Sequence, residues 1–451
     1  MSAGAGLRKV SVAVVSWNGR QHLETCLAAL AEQDDPGIDF EILVLDNGST
    51  DGTAEWMRAE VLPRHPRVRL VASPVNLGFC AGNNRLVAEA AGDAVAFLNN
   101  DTRPRRGWLR ALVAALAAAP PDVAAVSGLI VDWSGERLDF GRGLVTFDGH
   151  AFQLDFRRPL ATARVPAEGE ELPFACGGNM LVRRASFLAA GGFDEDYFAY
   201  LEDVDLGWRL WSGGERILCA PDAVVHHRSS ATSDLLGLYN RGFLFERNAF
   251  LTAYKNYEAG LWERLMPALL LTVLSRTQAL LAEHNPGGET LRLDPYAGHI
   301  ANTAPNGESA PTAPPRLAEL PPAWTWQGFK VRWQGYGPSD FLRRGARKLL
   351  GGRTSSSASE PLCLTDERTV AQLRALSWLL GNLDRAAACR TAVQARRQRS
   401  DREILARFPR YLVPTYPGDH ALFSSRGFQT WLPNDLPLVR KTLDEVMERE
   451  R

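Results

Sequence analysis

The 451-residue sequence contains six cysteines, and Cys26, Cys80, Cys176, Cys219, Cys363 and Cys389 form no C-x-x-C pair. That scatter excludes a disulfide-stapled scaffold or a zinc ribbon and fits reduced core residues of a cytoplasmic protein. Long hydrophobic runs are missing as well. No window reaches the about 18 uninterrupted apolar residues that a spanning helix needs. The nearest, Leu265 to Leu281, is broken by Pro267, Arg276 and Gln278 and reads as a core or membrane-surface helix. The N-terminal residues lack the basic start, apolar stretch and small-residue cleavage site of a signal peptide, so the expectation is a soluble or peripheral protein in the cytoplasm. Charge of one sign is also lacking. The net charge of -1 leaves no basic field to attract nucleic acid. No G-x-G-x-x-G follows the first strand and no G-x-x-x-x-G-K-[ST] occurs anywhere, which disfavours dinucleotide cofactors and P-loop chemistry. Phosphates bound here would need a metal rather than a glycine cradle.

What is present is 45% hydrophobic content, enough for a full core, in a chain too long for one ordinary domain. Strand and helix alternate four times in the first quarter. Val10 to Val15, Phe40 to Leu45, Val68 to Ala72 and Val95 to Leu98 read as strands. Arg20 to Glu32, Thr53 to Val61, Asn83 to Ala91 and Trp108 to Ala118 read as helices. This order predicts an α/β fold with a mainly parallel sheet, right-handed crossovers and flanking helices. Farther on, Val123 to Phe152 reads as strands or loops continuing the sheet. Leu181 to Ala190 and Leu201 to Trp211 read as helices, Ile217 to His227 as a last strand and Leu235 to Tyr257 as a long helix. The expected division is a catalytic domain at 1–260, with halves 10–118 and 119–260, a helical segment at 261–284, a linker or loop at 285–322 and a mostly helical accessory region at 323–451.

Each early strand ends in a polar cluster, and in a parallel sheet those ends share one edge, where ligands bind. The clusters are Ser16-Trp17-Asn18-Gly19, Asp46 to Asp51, Asn76-Leu77-Gly78-Phe79 and Asn99-Asn100-Asp101. Asp46 is placed to accept a hydrogen bond from a pyrimidine N–H, and Asn76 or the backbone near Gly78 to reach base and ribose. Asp101, delivered by a buried strand, is a ligand for a hard divalent cation that could itself hold a pyrophosphate. For each cluster the plain alternative is a turn or a helix cap. A second constellation carries six carboxylates from Asp194 to Asp205 among aromatics. There Glu202 and Asp203 open a helix whose dipole favours an ionised carboxylate, making Asp203 a candidate general base. His226 and His227 close a strand, and side-chain alternation lets at most one of them reach a metal. Arg241, Arg247, Asn248 and Lys255 follow, either to hold phosphates or to solvate a helix.

In order and spacing these motifs resemble the inverting nucleotide-sugar glycosyltransferases of family two, in particular their bacterial rhamnosyltransferase-like branch. The resemblance runs from about Val10 to Glu258 and also includes Cys176-Gly177-Gly178-Asn179 and Gly191-Gly192-Phe193-Asp194-Glu195. It implies a GT-A fold, a nucleotide-diphosphate sugar donor and a Mg2+ or Mn2+ ion on the diphosphate. Carried over residue by residue, the donor contacts are Ser16, Trp17, Asn18, Asp46, Asn47, Ser49, Asn76, Gly78, Phe79, Asn83, Asn99 and Asn100. Asp101, with His227 or His226, would bind the metal. Gly177, Gly178, Glu202 and Trp208 would contact the acceptor, and Asp203 would be the catalytic base. Where the family usually has Asp-x-Asp this sequence has Asn99-Asn100-Asp101, one formal charge fewer.

The implied reaction moves a sugar, dTDP-rhamnose being the first donor expected and UDP- or GDP-sugars the next, to a hydroxyl of a cell-envelope glycan or lipid-linked saccharide. The alternatives are a sugar-nucleotide pyrophosphorylase and a non-catalytic glycan-binding protein of the same fold. Two features point to the inner face of the membrane: the segment Leu265 to Leu281 and the basic run of Arg390, Arg396, Arg397, Arg399 and Arg402. Self-association stays open.

Overall fold

Apolar strands with no polar face need cover on both sides, and β1 (Lys9–Ser16) shows why the sheet lies at the centre: Val10, Val12, Ala13 and Val14 are all fully buried. In the computed structural model, which describes residues 6–228, 237–283, 367–416 and 418–447, β1 pairs in parallel with β2 (Asp39–Asn47) and β4 (Ala94–Leu98), and β2 with β3 (Val68–Ser73). Helices α1 (Arg20–Ala31), α2 (Thr53–Trp56, extended by a wide turn at Met57–Val61) and α3 (Gly78–Glu89) connect them. Among the described residues the sheet has nine strands in the order β3-β2-β1-β4-β10-β6-β11-β5, with β7 off β6. Here β5 is Thr102–Pro104, β6 Val123–Asp132, β7 Leu138–Phe140, β10 Asn179–Arg183 and β11 Arg216–His227. α4 (Trp108–Ala118) leads into β6, and β11 runs parallel to β6.

The expected parallel half is therefore found, and the second half is mixed. Residues 181–183, expected to begin a helix, belong instead to β10, antiparallel to both β4 and β6; the helix α5 starts only at Arg184 (Arg184–Ala189). A short apolar run looks alike in a buried strand and a buried helix. Burial of Met180, Leu181 and Val182 between two strands decides the matter. The segment 123–152 also yields a separate hairpin, β8 (Gly143–Val145) with β9 (Ala151–Gln153). α6 (Glu202–Ser212), α7 (Gly237–Asn256) and α8 (Ala259–Glu283) complete this part.

Contacts divide the chain into one unit of residues 1–301 and 364–451 and a second of residues 302–363, which lies outside the described residues along with the expected linker at 285–322. The described tail is helical apart from two short strands, β12 (Arg410–Leu412) and β13 (Leu438–Arg440). Its basic run is largely turned inward. Arg390 and Arg397 donate to the carbonyls of Tyr254 and Asn256, Gln394 donates to that of Lys255 at 2.8 Å, and together they cap the C-terminus of α7. Arg399 donates to the carbonyls of Gly214 and Glu215, both at 2.6 Å. Only Arg396 and Arg402 of the five stay exposed, so this run does not form the continuous basic face expected for membrane contact. Arg276 of α8 is buried between Asp148 (3.0 Å) and Asp419 (2.9 Å), tying the tail to the loop of the β8–β9 hairpin.

Candidate active site

The carboxyl ends of β1, β2 and β4 open on one edge, and a cleft of about 430 Å³ lies there. Trp17, Asn47, Asn76, Gly78, Phe79, Asn99, Asn100 and Asp101 line it together with Gly177, Gly178, Glu202, Asp203 and His227. Two acidic stations a hundred residues apart thus share one cavity.

The remaining donor-side residues stand behind this wall and brace it. Ser16 accepts from Asn100 Nδ2 at 3.0 Å. Asn18, in the left-handed region at φ 47°, accepts from the Thr50 N–H at 2.7 Å, and its own N–H donates to Ser49 Oγ. Ser49 N–H in turn donates to buried Asp46, whose carboxyl burial pushes above its ordinary value. Asn47 Nδ2 donates to Asn76 Oδ1 (2.9 Å) and to the Gly78 carbonyl (3.1 Å), closing the second and third clusters on each other. Asn83 is buried and bonds back to the Phe79 carbonyl. Gly78 begins α3 at φ +80° with the Phe198 ring against it; a Cβ there would come within 2.5 Å of that ring. That is why residue 78 is glycine; the helix runs Gly78–Glu89, five residues ahead of the expected start at Asn83.

Beside the β4 end, His227 Nε2 sits 3.4 Å from Asp101 Oδ1, and His227 Nδ1 lies 2.6 Å from Asp139 Oδ2. Burial alone would lower the imidazole's pKa, but the two carboxylates outweigh it and push it up to about 10. Burial likewise opposes ionisation of Asp101, and His227 more than offsets that, holding the carboxyl below its ordinary value. The donor set suits a divalent ion provided that the ion takes the place of the proton on His227 Nε2. One carboxylate and one imidazole face the cleft, and a second carboxylate orients the ring from behind, a common arrangement around bound metals. His226 faces the other side of β11, toward Arg105 Nε (3.2 Å) and the Trp133 carbonyl, as strand alternation requires. It is not part of the cleft. Asp139 was not singled out from the sequence; the alternation Leu138-Asp139-Phe140, with both apolar neighbours buried, was the available signal.

Glu202 and Asp203 start α6. Asp203 Oδ2 accepts the Gly177 N–H at 3.0 Å and Oδ1 the Val204 N–H at 2.8 Å. Burial raises the pKa of both carboxyls, and for Glu202 the neighbouring Asp203 charge adds to it. Glu202 is buried and, among the described residues, its Oε2 has no hydrogen-bond partner. Gly177 and Gly178 permit this closeness: a Cβ on Gly178 would stand 2.8 Å from Asn99 Nδ2, and one on Gly177 3.3 Å from Glu202 Oε1. Trp208 points away from the cleft, buried edge-to-face on Tyr257 (4.7 Å) under the Arg410 guanidinium, so it is a core residue rather than an acceptor contact. Phe140, Phe152, Phe174, Tyr200 and Phe245, none foreseen from the sequence, form an aromatic flank of the cleft. Arg247, Asn248 and Lys255 are buried, so they neither solvate their helix nor face phosphates.

The α/β sheet and its strand-end cleft are those of a glycosyltransferase. The profile described as Glycosyl transferase family 2 matches residues 11–189. The N-acetylglucosaminyl-diphospho-decaprenol L-rhamnosyltransferase of Mycobacterium tuberculosis (strain CDC 1551 / Oshkosh) is 36% identical over 242 residues, 49% of this chain and 76% of that protein. The chain belongs to glycosyltransferase family 2. The O-antigen biosynthesis protein RfbC of Myxococcus xanthus is 32% identical over 238 residues, 50% of this chain and 18% of that one. Among solved structures, GalNAc-T7 with UDP, GalNAc and Mn2+ is similar with a TM-score of 0.47 at 15% identity, over 60% of this chain and 51% of that one.

Proposed function

We propose that the chain transfers a sugar by single displacement with inversion, and the observation that carries this is the presence of Asp101 and Asp203 in one cleft. Asp203 takes the proton of an acceptor hydroxyl as that oxygen bonds to the anomeric carbon, and the bond from that carbon to the nucleoside diphosphate breaks on the opposite side. The Gly177 and Val204 N–H groups keep the carboxylate aimed. Glu202, with one oxygen unpartnered, accepts a hydrogen bond from the acceptor. Asp101 and His227 would hold a divalent ion, Mg2+ or Mn2+, with Asp139 orienting the imidazole. Such an ion, when bound, supplies positive charge against the departing diphosphate. Asn47, Asn76 and the Gly78 backbone face the nucleotide.

The name of the mycobacterial relative supports an L-rhamnosyl donor, dTDP-rhamnose first, and a lipid-linked saccharide acceptor. The aromatic flank supports an acceptor that presents an apolar face. Among the described residues no helix is long and apolar enough to cross a membrane. Exposed Arg103 and Arg228, each stacked on Trp133 (4.7 and 4.1 Å), together with exposed Arg105, support peripheral contact with an anionic inner leaflet. Incubating the protein with a panel of sugar nucleotides and Mg2+ or Mn2+ tests the reading. Release of nucleoside diphosphate from one donor, with an inverted product when acceptor is added, is expected. Formation of a sugar nucleotide from sugar phosphate and nucleoside triphosphate would instead favour a pyrophosphorylase, and no turnover of any donor a glycan-binding protein.

A further inference from the structure

The short segment that delivers α6 to the cleft has an unusual backbone. Phe198 has φ 61° and ψ −59°, and the Ala199 N–H donates to the Tyr197 carbonyl at 2.7 Å, which makes residues 197–199 a γ-turn of the rare, strained hand. Tyr200 (φ 71°) and Leu201 (φ 63°) are also in the left-handed region, and none of the three is glycine. Such a cluster persists only where its surroundings over-determine it.

One side chain meets three carbonyls of this segment. Asn248 of α7 is fully buried, and its Nδ2 donates to the carbonyls of Tyr197 (3.0 Å), Ala199 (2.8 Å) and Tyr200 (2.8 Å). Its Oδ1 accepts from Arg247 Nε at 3.0 Å, which fixes the amide's orientation, and Arg247 Nη2 donates to the same Tyr197 carbonyl at 3.0 Å. The segment so held has two functional ends. The Phe198 carbonyl accepts the N–H groups of Phe79 (2.7 Å) and Cys80 (3.1 Å) in the first turn of α3, and its ring covers Gly78. At the other end Leu201 leads directly into Glu202 and Asp203, and its carbonyl accepts the Asp205 N–H.

We propose that Asn248 is a positioning residue for transfer: its amide holds the strained segment Tyr197–Leu201 so that Asp203 meets the Gly177 N–H while Phe198 closes on the donor-side glycine. The inference rests on Asp203 as the base, acting through the backbone and not by contact with substrate. Loss of the amide lets the segment relax toward ordinary φ values and turns the start of α6. Asp203 then parts from the Gly177 N–H, a donor that favours its ionised form.

The test is steady-state transfer by the full chain carrying Asn248→Ala, with kcat measured across pH, nucleoside diphosphate affinity measured by calorimetry, and a thermal melt. The expected result is a fall in kcat of about 10- to 10²-fold, a shift of the acid limb of kcat to higher pH, and nucleotide affinity altered much less. General destabilisation would not move the acid limb. A folded Asn248→Ala with wild-type kcat and acid limb overturns the proposal. If that variant does not fold, Asn248→Ser, which keeps one donor, is measured in the same way, and wild-type behaviour there overturns it equally. Asp203→Asn assayed alongside separates the two readings: an active Asp203→Asn removes the base, whereas an inactive one beside an unaffected Asn248 variant removes only the positioning role.

Discussion

The Gly177 N–H donates to Asp203 Oδ2 at 3.0 Å, so the residue that follows Cys176 on the way into β10 fixes a carboxylate at the start of α6. A side chain at 177 would press on Glu202, and the contact joins the two elements that frame the acceptor side of the cleft.

That carboxylate titrates below its neighbour. Burial raises the pKa of both Glu202 and Asp203, and the base works only when ionised, so activity is present above the titration of Asp203 and lost as pH falls through it. The acid limb of kcat/KM is expected above the ordinary aspartate range. Burial raises the Asp203 pKa, whereas the Asp203 charge adds to burial at Glu202, so Glu202 is neutral while Asp203 ionises and Glu202→Gln should leave the acid limb in place. A limb moved to lower pH in that variant would show that a Glu202 charge sets it.

Asp101→Ala is expected to weaken Mn2+ and donor binding together, because the variant leaves His227 and Asp139 without the carboxylate that faces the cleft. Calorimetric titrations with Mn2+ and with nucleoside diphosphate, alone and combined, check this. Unchanged affinities would place the ion elsewhere.

Much of this site was legible in the sequence. Buried strands ending in Asn and Asp, and an acidic pair opening an amphipathic helix, announce themselves through local pattern. Asp101 and His227 meet because the parallel strands β4 and β11 share an edge, which strand and helix alternation already implies, and the first turn of α6 brings Asp203 to the same cleft. Asp139 was not found, and Asn248 was singled out only as a phosphate or solvent contact, since each acts across a long sequence separation and looks like an ordinary polar residue in its own element. Trp208 misled for the reverse reason: adjacency to Glu202 and Asp203 in sequence does not put a side chain on their face of a helix. The inward turn of Arg390, Arg397 and Arg399 was equally hidden, because a basic run reads the same whether it meets solvent or the carbonyls at a helix end.

The buried ion network under the β8–β9 hairpin predicts a stability loss at alkaline pH. Burial opposes the charge on His150, but Asp148 (3.2 Å) and Glu246 (3.3 Å) push its pKa up to about 9, against an ordinary 6.5. A raised folded-state value means that the stabilisation is full below 6.5 and lost as pH rises through about 9. Thermal melts from pH 6 to 10 should therefore fall more steeply for wild type than for His150→Gln. Parallel curves would show that His150 is not charged in the fold.

Asp419→Ala removes one of the two carboxylates on buried Arg276. The expected cost is about 3 to 5 kcal/mol, read by urea unfolding, and a change below about 1 kcal/mol, the scale of an exposed pair, would mean that the tail is not anchored through this contact.

The most direct measurement of the central claim is transfer by Asp203→Asn, with donor affinity determined on the same preparation. An asparagine keeps the shape and can still accept the Gly177 N–H, so only the ability to take a proton is lost. The account predicts transfer lowered by about 10² to 10⁴ with donor affinity nearly unchanged. Turnover near the wild-type rate would contradict it.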